Sequence, residues 1–362
     1  MNRMLKPQPG ILGIEAYEAG ESSIAGREAV LKLSSNENPY GPSQKAIDAY
    51  LATASKLSRY PDSHHGSLRN AIAEVYGLLP DKLVCGAGSD EVIALLCQAY
   101  AGKGDEIIHT EHGFLMYPIL AKAVGATPVQ VRERNRRTDP ESILEACGPD
   151  TRIVLIANPN NPTGTMISSD EARELADSLP EGVLLVLDGA YVEYADGYDG
   201  GASLVESCAN VVMTRTFSKI YGLAALRIGY AYGPEDLIAA MDRIREPFNV
   251  GAPSLAAAEA AVRDTEHARR CRELNARWRR WLSERLEECG IPSDPSSANF
   301  ILARFADPET VSRCDSFLRS RGILVRRMEK YNLPKCLRIS IGDEAGCRSL
   351  ASALNEFMAG DR

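Results

Sequence analysis

The sequence predicts an α/β protein: a large domain built on a mostly parallel sheet, joined by a smaller α+β domain. Three observations carry this. Short apolar runs alternate with helix-period segments through the middle of the chain. The runs are continuously apolar, the pattern of strands covered on both faces. The C-terminal third breaks that pattern, opening on a stretch rich in Ala, Arg and Glu before mixing short strands with helices. The 362 residues fit, since domains average about 150 residues.

Taken in order, residues 1–50 are expected to form an N-terminal segment joining the small domain. Its Pro/Gly-bearing stretch 36–42 reads as a loop. Residues 51–255 form the large domain. Its strand runs are 82–85, 106–109, 152–157, 183–188, 211–215 and 228–232, and its helical segments include 91–101, 117–124, 140–146 and 169–178. In such sheets ligands bind outside the carboxyl ends of the strands, so the residues after each run are candidates. Residues 256–362 form the small domain. Composition predicts one long helix over 253–288. Strands at 299–303, 323–326 and 337–341 and helices at 308–321 and 344–358 follow.

Composition narrows the function classes. A formal net charge of −8 argues against a general nucleic-acid binder. Nine scattered Cys without a C-x-x-C pair read as reduced thiols, which points to the cytoplasm. The N-terminus lacks the apolar core of a signal peptide, and no apolar run is long enough to cross a bilayer. His109 and His112 have no third ligand nearby and are read as a strand-end and a loop histidine, so no metal is expected. Trp278 and Trp281 read as helix packing.

Four constellations sit at successive strand ends. Asp188 ends one apolar strand with Tyr191 three residues on; a carboxylate there costs desolvation unless a cation answers it. Thr214-Arg215-Thr216-Phe217-Ser218-Lys219 follows the next strand, with Arg227 beyond. These are hydroxyls and a guanidinium for a phosphate, and an amine that can act as a nucleophile. Asn158-Pro159-Asn160-Asn161-Pro162-Thr163-Gly164 forms a rigid turn able to present the Asn161 amide. Gly86-Ala87-Gly88-Ser89-Asp90-Glu91 joins a strand to a helix, and its Gly88, Ser89 and Asp90 make an anion site at the helix N-terminus. Glu91 stands where a dinucleotide fingerprint needs its third Gly.

Each constellation alone has a plain structural reading as a cap, a turn or a solvated basic loop. Together they fit one ligand, pyridoxal 5′-phosphate. Its aldehyde suits Lys219, and its phosphate suits Ser89, Thr216, Ser218 and Arg227. Its ring N–H suits Asp188, and its ring oxygen suits Asn161 and Tyr191.

The motifs N-P-N-N-P-T-G, D-G-A-Y, T-F-S-K and G-L-A-A-L-R-I-G-Y resemble those of the fold-type I aminotransferases. Leu33-Ser34-Ser35-Asn36-Glu37-Asn38-Pro39, Arg59-Tyr60-Pro61-Asp62, His112-Gly113-Phe114-Leu115-Met116-Tyr117, Ala298-Asn299-Phe300 and Leu337-Arg338-Ile339-Ser340-Ile341-Gly342 narrow the resemblance to the histidinol-phosphate aminotransferase family, over about residues 10–358. The resemblance implies a seven-stranded sheet and transamination of L-histidinol phosphate with 2-oxoglutarate in histidine biosynthesis. Phe114 would stack on the pyridine ring, and Lys219 would be the catalytic base. Tyr60 would reach the cofactor phosphate of a second subunit, making a homodimer with a shared site. Tyr17, Asn36, Arg326 and Arg338 would bind substrate, the two arginines lying at the ends of adjacent predicted strands. His64-His65, Asp343 and Gly189 depart from the family pattern. They leave the substrate open to an aromatic or specialised amino-acid aminotransferase, and a decarboxylase of a phosphorylated amino acid is a further alternative, since Lys219 and Asp188 do not decide which Cα bond breaks.

Overall fold

A computed structural model of the chain describes residues 6–7, 10–18, 20–27 and 29–360. Its strands are β1 (Leu31–Lys32), β2 (Leu83–Gly86), β3 (Glu106–Thr110), β4 (Thr127–Val131), β5 (Thr151–Ala157), β6 (Leu184–Asp188), β7 (Val211–Thr216), β8 (Gly229–Tyr232), β9 (Phe300–Arg304), β10 (Ile323–Leu324), β11 (Arg326–Arg327) and β12 (Cys336–Ser340). The α-helices are α1 (Gln44–Leu51), α2 (Gly66–Tyr76), α3 (Ser89–Tyr100), α4 (Met116–Ala123), α5 (Pro140–Ala146), α6 (Ser169–Ser178), α7 (Ala202–Ser207), α8 (Glu235–Ile244), α9 (Ala252–Arg263), α10 (Thr265–Glu288), α11 (Pro308–Ser320) and α12 (Glu344–Gly360).

Seven strands form the central sheet in the order β2-β8-β7-β6-β5-β3-β4. Neighbours from β4 to β7 are parallel, and β8 runs antiparallel between β7 and β2. The predicted mostly parallel sheet is therefore present. Its edge strand β4 has no counterpart in the sequence reading. It carries Pro128 and Gln130 and stays partly exposed, because an edge strand tolerates Pro and needs no apolar run.

The inner strands are apolar on both faces for a visible reason. Val154, Ile156, Leu185, Leu187, Val211 and Met213 join one core, packed under α2, α6 and α9. The alternate residues Ile153, Leu155, Leu184, Val186 and Val212 join a second core with α3, α4 and α8. Each such buried aliphatic side chain stabilises the fold by about 1.5–3 kcal/mol. The same alternation decides the site. Asp188 continues the Leu184–Val186 row, and Thr214 and Thr216 face the same way, whereas Arg215 points to the opposite side.

A separate core holds β9, β12, α11 and α12 against one stripe of α10, through Trp278, Leu282 and Leu286. Trp278 and Trp281 meet edge to face at 5.5 Å, with Arg348 over both rings. β1 joins this unit by pairing in parallel with β10.

Two expectations are corrected. The single helix over 253–288 is two helices, broken at Asp264, whose ψ of 63° is non-helical. Its carboxylate binds Lys45 instead, and Asp is a poor helix-interior residue. The strand at 323–326 divides into β10 and β11, which belong to different sheets. All nine cysteines are unbridged. Among the described residues no helix is long and apolar enough to cross a membrane.

Candidate active site

The carboxyl ends of β5, β6 and β7 and the first turn of α3 surround a cavity of about 280 Å³. Every residue singled out from the sequence for the site lines it, except Gly88 and Tyr60. Its outer wall comes from Tyr17, Ser34, Asn36, Arg326 and Arg338, so residues more than 300 positions apart meet over one space.

At the floor, Asp188 is 4% exposed. Its Oδ2 accepts a hydrogen bond from the Tyr117 hydroxyl at 2.9 Å. Its Oδ1 accepts from the Ala190 N–H at 3.2 Å and from Thr214 Oγ1 at 3.3 Å. No cation pairs with it among the described residues. Burial therefore pushes its pKa up to about 6 in spite of the three donors, with Asp90 adding to the rise. An unpaired buried carboxylate of this kind fits a ligand that brings a cation, as a protonated pyridine does.

The anion end is built around Arg227, which lies in the left-handed region at φ 48°. It donates to Ser218 Oγ at 3.1 Å and pairs with Asp90 at 3.2 Å. Ser89 opens α3 beside it and Thr216 Oγ1 accepts the Ser218 N–H. Exposed amides at a helix N-terminus, hydroxyls and a guanidinium are a phosphate's donor set. Gly88 does not line the cavity but stands directly against Arg227. With φ at 85°, a Cβ there would stand 2.5 Å from the Arg227 guanidinium. Gly229 has a matching role, since a Cβ on it would meet the Ser89 amide at 2.5 Å.

The Asn-Pro turn spends two of its three asparagines on itself. Asn158 exchanges hydrogen bonds with Ile167, and Asn160 donates to the His112 carbonyl and to Thr163 Oγ1. Both Asn-Pro bonds are cis. Asn161 is turned to the cavity, where its Oδ1 accepts from Arg338 Nη1. The amide donor of Asn161 is left for a ligand. Asn36, with φ 56°, donates from Nδ2 to the Tyr191 hydroxyl at 3.0 Å, leaving that hydroxyl its own proton to give. Lys219 Nζ lies 5.5 Å from the Tyr191 ring centroid.

On the outer wall Arg326 and Arg338 are direct cross-strand partners in the β11–β12 ladder. Arg338 is 7% exposed, donates to the Ser34 carbonyl at 2.9 Å and lies over the Phe300 ring at 5.5 Å. Neither arginine has a carboxylate partner among the described residues. Like charges placed opposite each other repel, so the pair asks for an anion between them.

Tyr60 lies outside the cavity, 83% exposed, with its ring stacked at 4.5 Å on Phe248. His64 and His65 are also outside it; His65 is buried at φ 52° where α2 begins. Asp343 accepts the Gly346 N–H at the start of α12 and does not reach the arginines' cavity. Gly189 packs on the Thr214 carbonyl, 3.0 Å from where a Cβ would stand. His109 and His112 are spent on the carbonyls of Thr110 and Tyr331. Tyr117 and Ser34 stand in the sequence only as members of the quoted motifs, with no site role of their own. Tyr117 reads there as one more apolar residue of a helix, and only the fold brings its hydroxyl to Asp188.

A larger cavity of about 620 Å³ lies on the other face of the sheet, around Arg215 and Glu193. Those two charges answer each other across 3.8 Å, and Arg215 also covers the Tyr76 ring. The smaller cavity is where an amine, an unpaired carboxylate, an anion cradle and two unpaired arginines meet.

The chain is similar to known aminotransferases over nearly its whole length. Residues 28–354 match the model of the aminotransferase class I and II family. The histidinol-phosphate aminotransferase of Dinoroseobacter shibae is 60% identical over 355 residues, 98% of each chain. That of Cereibacter sphaeroides is 58% identical over 357 residues, 99% of each. The crystal structure of histidinol-phosphate aminotransferase from Sinorhizobium meliloti in complex with pyridoxal 5′-phosphate aligns with a TM-score of 0.89 and 27% identity over the whole of both chains.

Proposed function

The chain belongs to the class I and II aminotransferases, among the histidinol-phosphate aminotransferases, and from that membership we propose that it transfers the amino group of L-histidinol phosphate to 2-oxoglutarate. The products are imidazole acetol phosphate and L-glutamate, a step of histidine biosynthesis, and the cofactor is pyridoxal 5′-phosphate. The observation that carries the substrate is the unpaired Arg326–Arg338 couple in the same cavity as Lys219 and Asp188. Both substrates end in an anion, and a guanidinium binds phosphate and carboxylate alike.

Bound in this site, the cofactor supplies a carbonyl for the substrate amine and an electron-poor ring to take up charge from the substrate Cα. The chain's own residues do the rest. Ser89, Thr216, Ser218 and Arg227 hold the phosphate. Asp188 holds the proton on the ring nitrogen. Asn161 and Tyr191 donate to the ring oxygen, and Phe114 covers the ring face. Lys219 Nζ would take the Cα proton as general base and deliver it as general acid to C4′, the carbon that carried the cofactor's carbonyl. Tyr17 and Asn36 close the substrate side with the two arginines.

An absorbance titration of the yellow protein tests the substrate. L-histidinol phosphate at micromolar concentration is expected to convert the cofactor band, with L-phenylalanine needing far more. Conversion by phenylalanine alone would move the assignment to an aromatic aminotransferase.

The same reading makes the active unit a homodimer. Tyr60 and the neighbouring Leu57 are strongly exposed, as is Leu51, and such apolar surface on one segment suits burial against a second copy. Tyr60 of each subunit would then reach the partner's cofactor phosphate. Tyr60→Phe is expected to weaken cofactor retention by about tenfold, the scale of one hydrogen bond to a charged group. Mixed dimers of Tyr60→Phe with Lys219→Ala should regain one working site in two. Recovery no better than the Tyr60→Phe subunit alone would rule out sharing. We assign residues 51–255 to the cofactor-binding domain and 256–362, joined by 1–50, to the substrate-side domain; the separate core around Trp278 and Leu350 supports the second unit, whereas α9 packs on the core of the first. The acidic balance and the unbridged thiols support a cytoplasmic location.

A further inference from the structure

Tyr117 lies on α4 and is 1% exposed. It does not line the cavity, yet it touches two groups that do. Its hydroxyl donates to Asp188 Oδ2 at 2.9 Å, and its ring meets Phe114 edge to face at 5.8 Å and 89°. One rigid side chain thus braces the carboxylate that would hold the ring nitrogen and the aromatic that would cover the ring face. Phe114 is fixed on its other side by the Tyr17 ring, 6.1 Å away.

We propose that Tyr117 is a positioning residue for the reaction: it orients Asp188 and Phe114 together, and its hydroxyl keeps Asp188 the weaker base in the pair with the cofactor's ring nitrogen. The inference rests on the cofactor reading above. The chemistry is a balance over one proton. A buried carboxylate that loses a donor becomes more basic and draws the proton from the ring nitrogen, which leaves the ring a poorer acceptor of electrons. The Tyr117 phenol cannot itself surrender a proton in exchange, because burial, and then the adjacent Asp188, hold it far above its ordinary range. Of the other titratable groups, Asp90 from α3 acts on Asp188, and Tyr191 and Lys219 line the same cavity. None of them donates to it.

The test is Tyr117→Phe, which keeps the ring against Phe114 and removes only the hydroxyl. Cofactor affinity of the cofactor-free protein should fall as pH drops through the Asp188 pKa. Loss of the donor should move this acid limb up by about one pH unit, the size of one hydrogen bond to a charge. The phosphate ester titrates in the same region, so the readout is the displacement between variant and parent. With cofactor labelled at the ring nitrogen, the ¹⁵N resonance should move toward the neutral pyridine position, and kcat should fall about tenfold with KM for the amine unchanged. Should Tyr117→Phe fold poorly, 3-fluorotyrosine at position 117, a stronger donor of nearly the same shape, should move the acid limb down. An unmoved limb and resonance would overturn the role of Tyr117 alone. Failure of the parent protein to bind the cofactor at all would overturn the reaction itself.

Discussion

Lys219→Ala is expected to abolish transamination, lowering turnover by about 10⁴-fold or more while the protein stays folded. Two functions are lost together: the amine that joins the cofactor, and the base that moves the Cα proton, which alone is typically worth about 10²–10⁴-fold. The structure explains why the loss should be confined to chemistry. Lys219 lies in the cavity wall just beyond β7, half-buried, its amine beside the Tyr191 ring and without a carboxylate partner among the described residues. Removing it breaks no salt bridge and opens no hole in either core, so the melting temperature of the cofactor-free protein should be nearly unchanged. Asp188, Arg227 and Ser218 keep their partners, so the variant should still take up the cofactor, though without the absorbance of the lysine-linked form. Steady-state assays beside thermal melts would measure both halves. Retained transamination would remove Lys219 from the reaction, and a collapsed melt would mean that the side chain carries structure that the geometry does not reveal.

What the sequence makes legible follows from how locally each feature is determined. The inner strands announce themselves because burial on both faces demands unbroken apolar runs, and α5 and α6 fall where periodicity places them, α5 opening on Pro140 and α6 on the Ser168–Glu171 capping box. The cavity residues Asp188, Asn161 and Lys219 are equally readable, since each stands at or just past a strand end in a short motif. Features set by distant contacts are not. β4 is recognisable only beside β3, and the break at Asp264 reflects a carboxylate satisfied by Lys45, far back in the chain. Tyr117 has the helical spacing of an ordinary core residue, and nothing local marks its hydroxyl. Asp343 misleads in the opposite sense: its proximity in sequence to Arg338 suggests a charge in the pocket, whereas β12 ends between them and the carboxylate turns to cap α12.

Arg338→Ala should raise KM for both anionic substrates by about a hundredfold or more, since truncating a buried, hydrogen-bonded charge costs about 2–5 kcal/mol and each 1.4 kcal/mol is tenfold. Three features make this residue costly to lose. It is a buried cation with no carboxylate partner among the described residues, it stands opposite Arg326 on the ladder, and its guanidinium also fixes Asn161 and the Ser34 carbonyl. A cation left so exposed to repulsion is tolerable only if an anion arrives to answer it. Because one guanidinium would serve the phosphate of the donor and the carboxylate of the acceptor, both half-reactions should weaken together. Cofactor affinity should change only by the smaller amount that follows from a less constrained Asn161. Arg338→Lys should not restore binding, as a single ammonium cannot span Asn161, Ser34 and a ligand anion at once. Measured KM values that stay level for both substrates would take Arg338 out of the binding site. A rise for one substrate alone would mean that Arg326 holds the other, so that the two arginines divide the work the fold has placed side by side.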